Sequence, residues 1–183
     1  MRKFVLLSLL LTLSSCGYRM GFGPIPNCYE TISVPFIEGD QTGSLTAAIV
    51  EEISTSGAFT YCPCSADLTL NIILLEIKDK NIGFRYDRGE NNEIQETIVP
   101  AETRLTAIAK VTLVDNRSCE IVSGPDIIKA KAEFDHEFNS SRDAVNVFSL
   151  GQVTEIEEAK VAAKRPLDRA LAKKIVDYLI SAW

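Results

Sequence analysis

Two stretches of regular alternation on either side of one compact turn constrain this chain most. Leu105, Ala107, Ala109, Val111 and Leu113 keep one phase, and Arg104, Thr106, Lys110 and Thr112 sit mainly in the other. After the turn Asp115-Asn116-Arg117-Ser118, Ile128, Ala130, Ala132 and Phe134 alternate with Lys129, Lys131, Glu133 and Asp135. Successive side chains on a strand point to opposite faces, so each stretch reads as a half-buried strand. The turn residues join them as an antiparallel pair. Such a pair leaves one apolar face that another layer must cover.

The rest of the chain supplies that layer. Ser44 is placed to cap a helix with Leu45, Ala48, Ile49 and Ile53 on one side, and Gly57 stops it. If that side is core, replacing Ile49 with Asp should cost several kcal/mol. From about Gln152 a second helix carries Val153, Ile156, Ala159, Ala163, Leu167, Leu171, Ile175 and Tyr178 or Leu179 as its apolar stripe. Pro166 should kink or divide it. Thr31 to Phe36 alternates as a first strand, and Ala66 to Ile77 is a second whose far end is apolar on both faces. Lys78 to Pro100 reads as the longest irregular stretch, with Tyr86-Asp87-Arg88-Gly89 as a loop tip and Ile94 to Val99 as an early strand start. The partner strand should run from Cys119 to Phe138, bending at Gly124-Pro125. The expected fold class is α+β: a two-layer sandwich with a mainly antiparallel or mixed four-stranded sheet and two amphipathic helices on one face.

The N-terminus fixes the compartment. Arg2 and Lys3 precede an apolar run to Leu13, then Leu13-Ser14-Ser15-Cys16. This has the parts of a secretory signal and is too short for the roughly 20 residues that span a bilayer. Its ending resembles the lipobox of bacterial lipoproteins, with diacylglycerol on the Cys16 sulfur and an acyl chain on the new amino group. Two or more chains make anchorage stable where one does not. A chance cysteine after an ordinary secretion signal is the competing reading. Residue 17 is Gly, not Asp, and by resemblance to the sorting rule of many Gram-negative lipoproteins this implies the outer membrane. The expected division is a cleaved signal at 1–15, a lipidated N-terminus and tether at 16–27, and one compact domain at 28–183. Losing Arg2 and Lys3 takes the formal charge from −6 to −8, and no basic tract favours nucleic acid.

Chemistry is otherwise sparse. Cys28, Cys62, Cys64 and Cys119 are candidates for structural disulfides in an oxidising compartment, with three complete pairings open and free thiols the alternative. No zinc-ligand spacing surrounds His136, the sole histidine, so no metal is expected. Asp135 and Glu137 share a strand face that His136 does not, so the trio is no catalytic cluster. No phosphate-binding glycine loop is present. No enzyme activity and no cofactor are expected beyond the lipid on Cys16.

The ordered motifs resemble one family. They are Cys16-Gly17-Tyr18, Ile32-x-Val34-Pro35-x-Phe36, Ala66-Asp67-Leu68-x-Leu70, Tyr86-Asp87-x-x-Gly89 and an alanine-rich final helix. Together they resemble the lipopolysaccharide-assembly outer-membrane lipoproteins that partner the lipopolysaccharide-assembly β-barrel. The resemblance implies a noncatalytic plug that supports a large barrel during lipopolysaccharide transport. It also implies lipopolysaccharide contact through basic side chains, for which Arg85 and Arg88 are the first candidates and Lys129 and Lys131 the second. The runner-up is a periplasm-facing lipoprotein that activates a cell-wall synthase.

Overall fold

The structure, a computed structural model, describes residues 23–88, 94–136 and 156–181. Its elements are α1 (Pro24–Cys28), β1 (Thr31–Ser33), α2 (Ser44–Ser56), β2 (Thr60–Tyr61), β3 (Leu68–Arg88), β4 (Ile94–Asp115), β5 (Ile121–Asp135) and α3 (Ile156–Ser181). The sheet order is β2-β1-β3-β4-β5, with β1 parallel to both neighbours and β3, β4 and β5 antiparallel. The expected α+β sandwich is what forms. Its sheet gains a fifth strand, β2, whose two residues are too few to show a period.

Leu105, Ala107, Ala109, Val111 and Leu113 are at most 2% exposed and face the helices. Ala130 on β5 pairs with Ala107 and is equally hidden. The α2 residues Leu45, Ile49 and Ile53 pack into the same core as Leu167, Leu171, Ile175 and Leu179 of α3. Burying such side chains stabilises by about 1.5–3 kcal/mol each.

Three local expectations change. Pro166 lies inside one continuous α3 and does not divide it. Lys78 to Pro100 is mostly strand, because β3 and β4 run on as a long hairpin around the tip at 89–93, which falls outside the described residues. Lys160 of α3 meets Asp79 at 3.3 Å near the start of that helix. Residues 80–86 of β3 extend past this point and are exposed or half-buried, so the inside-outside pattern that marks a strand fades. Finally, Ser44 is the first helical residue and not the cap; Gly43 holds the cap position at φ 72°. Within the stretch assigned to the tether, Pro24–Cys28 form α1, and its Ile25 is buried. Val153, the part of the second helix before Ile156, and the expected β5 residues beyond His136 lie outside the described residues.

Candidate functional site

One pole of the sheet gathers Asp67 with Cys28, Cys62, Cys64 and Cys119. Gly23 N–H donates to Ile180 O at 2.9 Å, so the N-terminal tether leaves beside the end of α3. The β4–β5 turn lies at the same end, since Leu68 pairs with Asp115 and Ile32 with Leu68. Asp67 sits between them. Its carboxylate accepts from Thr31 N at 3.2 Å, Thr31 Oγ1 at 2.9 Å, Glu30 N at 3.3 Å and Arg117 Nη2 at 2.5 Å. These donors, the Thr31 hydroxyl and amide first, hold its pKa below the ordinary carboxylate value. Asn116 completes the tie, donating from Nδ2 to Ala66 O at 2.8 Å and from its backbone to Asp67 O at 2.9 Å. The Asp67 of the sequence motif is therefore a clasp joining the starts of β1 and β3 to the β4–β5 turn.

Tyr29 donates to Asp115 Oδ2 at 3.2 Å. Burial and the neighbouring carboxylate push the phenol's pKa up, while the Arg117 amide chiefly pulls Asp115 down. Cys28 ends α1, Cys62 and Cys64 lie on the β2–β3 link, and Cys119 lies after the turn with φ 59°. All four carry free thiols, three of them exposed and Cys62 half-buried. Amide donors from Ser65 and Cys64 lower the Cys62 pKa. Among the described residues, no three His, Cys, Asp or Glu side chains group to hold a metal ion, and no helix is long and apolar enough to cross a membrane.

The far end of the β3–β4 hairpin is chemically different. Phe84, Tyr86 and Ile98 are each about three-fifths exposed, and Tyr86 pairs directly with Ile98 as Phe84 does with Pro100. Arg85 lies between the aromatics opposite Val99, which is 3% exposed. Arg88 pairs with Ile94 at the last described rung. Lys129 and Lys131 are elsewhere: they pair with Ile108 and Thr106, seven or more residues along β4 from Val99. At about 3.3 Å per residue, that is roughly 20 Å or more. The four candidate cations thus form two separate places, not one site.

His136 is 6% exposed and packed 5.8 Å, centroid to centroid, from Phe134. Its Nε2 lies 2.8 Å from Thr103 Oγ1, which in turn donates to Asn81 Oδ1 at 2.8 Å. Nδ1 has no partner among the described residues. These contacts tie β3, β4 and the end of β5 together.

Two buried carboxylates went unmarked in the sequence. Asp40, 1% exposed, accepts from Thr46 N at 2.9 Å and Thr46 Oγ1 at 3.0 Å, satisfying an amide in the first turn of α2. Asp168, 2% exposed, accepts from Ser44 Oγ at 2.5 Å and from Lys164 Nζ at 2.8 Å. A signal existed for the second: Asp168 adjoins Leu167 on the core-facing side of an amphipathic helix. Both stabilise the start of α2, where the helix dipole favours negative charge.

Solved structures similar to this chain include two lipoproteins. Rare lipoprotein B from Shewanella oneidensis superposes with a TM-score of 0.50 at 12% identity, covering 83% of this chain and 95% of that one. A minor lipoprotein from Acinetobacter baumannii gives 0.47 at 13%, covering 84% and 92%. No curated protein matches. The sequence model of the LptE lipopolysaccharide-assembly family matches residues 29–182, so the chain belongs to that family.

Proposed function

We propose that this protein is a noncatalytic lipoprotein that plugs and supports an outer-membrane β-barrel during lipopolysaccharide transport and assembly. The observation that carries this reading is the family match across residues 29–182. Diacylglycerol and an N-acyl chain on Cys16 anchor it to the outer membrane. The folded body stands in the barrel lumen, with its tether pole at the periplasmic side. A lumen is polar, and a body with a charged surface suits it better than lipid does.

In this arrangement the hairpin end is the part that meets lipopolysaccharide. Arg85 and Arg88 supply planar cationic donors for headgroup phosphate. Phe84, Tyr86 and Ile98 offer the apolar surface that acyl chains need. No observation favours the synthase-activator reading.

Co-purification from detergent-solubilised outer membrane tests the proposal. A large barrel should be recovered with the protein, and mass spectrometry should find the acylated N-terminus at Cys16. Recovery without a barrel, under conditions that preserve other barrel complexes, would refute the plug. In the recovered complex, Arg85→Ala combined with Arg88→Ala should lower bound lipopolysaccharide while leaving the barrel bound. Unchanged lipid recovery would remove the hairpin end from the lipid's path.

A further inference from the structure

Charge is segregated in this chain. Residues 20–77 contain no Lys or Arg at all, while they contain seven Asp and Glu. That span builds α1, β1, α2, β2 and the beginning of β3. After residue 77 the cations resume with Lys78, and many of them lie on one surface: the face of β3–β5 that points away from the helices.

The strand register defines this face. Its cross-strand rows are Lys80–Arg104–Glu133, Lys78–Thr106–Lys131, Glu76–Ile108–Lys129 and Ile73–Lys110–Ile127. Each row alternates with one whose β4 residue (Leu105, Ala107 or Ala109) is buried beneath the helices. Two cations are matched locally, Lys78 by Glu76 at 2.9 Å and Arg104 by Glu133 at 2.6 Å. Glu102 and Asp135 lie together at the next row toward the hairpin. Lys80, Lys110, Lys129 and Lys131 have no ion-pair partner among the described residues. Isoleucines stand between them, and Ile127 is 52% exposed.

We propose that this face of β3–β5 is the surface that docks on the barrel, against an acidic stretch of its inner wall. The inference rests on the plug reading above and names the side of the plug that makes contact. The spacing of the lysines selects the partner. Same-face rows lie about 7 Å apart along a strand, so Lys80 and Lys110 are roughly 20 Å apart. Four ammonium groups spread this way over a sheet face do not converge on one phosphate. They do match carboxylates distributed along another sheet, and the isoleucines between them fit apolar side chains of such a wall. Opposed potentials of this kind set orientation and exclude wrong registers. The elements β1, β2 and α2, which together carry acidic residues and no Lys or Arg of their own, are then turned away from it.

The test uses the full lipidated chain in its native outer membrane, with a photocrosslinking residue placed at Ile127 on the sheet face or at Glu51 on α2. Crosslinks to the barrel from position 127 and not from 51 are expected. A matched pair of charge reversals accompanies them. Lys110→Glu/Lys129→Glu/Lys131→Glu should reduce co-purified barrel by at least about tenfold at moderate salt. Arg165→Glu/Arg169→Glu/Lys173→Glu, on the exposed side of α3, should leave it near the unmodified level. Circular dichroism checks that both variants fold; an unfolded triple variant is replaced by the single Lys110→Glu, read by loss of the 127 crosslink. Crosslinks from 51 alone, crosslinks from 127 to lipopolysaccharide, or equal effects of the two reversals would each overturn the docking assignment. Absence of barrel crosslinks at both positions, with no barrel in the unmodified co-purification, would instead bring down the plug reading.

Discussion

Asp67 shows how one side chain in a short motif organises a pole of the molecule. Its four donors come from β1, the residue preceding β1 and the β4–β5 turn, so three chain segments depend on one ionised carboxylate. The pKa of Asp67 is lower folded than unfolded, and Asp115 on the same turn shifts the same way. Between the two pKa values the unfolded chain binds protons that the folded chain does not. The stabilisation is therefore complete above the unfolded value, near 4 for an aspartate, and is lost as pH falls through the folded one. Thermal melts of the protein between neutrality and about pH 3 should show the melting temperature falling at the acid end. Asp67→Asn should lower it at neutral pH and flatten that fall. A variant that melts like the unmodified protein at neutral pH, with the same acid slope, would show that the clasp contributes nothing.

At the scale of elements, the helix layer separates what was readable from what was not. Where α2 and α3 cover β4 and β5, alternation survives and the sequence marks both strands. Gly57 likewise ends α2 as expected, at φ 68°. Past the Lys160–Asp79 contact there is less core for the strands to face, and polar residues such as Asp79, Lys80 and Asn81 hid the strand. Register irregularities at Leu74/Glu76 and Asn81/Gly83 further break the phase. The distance between the first candidates, Arg85 and Arg88, and the second, Lys129 and Lys131, depends on a register that only the folded hairpin provides. The α2 start was misread because Asp40 and Asp168 replace the usual neighbouring cap, and Asp168 is 124 residues from Ser44. The layer itself is testable. Leu171, fully buried on α3, should cost about 2–5 kcal/mol when changed to Ala. Val161 on the same helix is 74% exposed, and Val161→Ala should stay within about 0.5 kcal/mol. Urea melts that gave equal losses would mean that α3 does not seal the core through Leu171.

The whole molecule is long relative to its tether. From Pro100, opposite Phe84, to Asp115 at the β4–β5 turn is 15 residues of strand, about 50 Å at 3.3 Å each. Residues 17–22, between Cys16 and the first described residue, can reach at most roughly 24 Å when fully extended. If Cys16 carries the proposed lipid, the pole of Gly23, Asp67 and Cys119 is held near the periplasmic leaflet. The hairpin end can then approach the other side of a bilayer that is about 40–45 Å thick with its headgroups. A lumen is the one polar route by which a soluble body crosses that distance. The native thiols provide an internal reference, because Cys28, Cys64 and Cys119 are exposed at the tether pole. In intact cells, a membrane-impermeant maleimide should label Phe84→Cys at the hairpin and leave the unmodified protein unlabelled. Reduction and permeabilisation of the outer membrane should then expose the tether-pole thiols to the same reagent. Labelling of the unmodified protein in intact cells, with Phe84→Cys adding nothing, would mean that the body stands the other way up. The two arginines beside Phe84 and Tyr86 would then face the periplasm, and any lipopolysaccharide they meet would be on its way in, not on its way out.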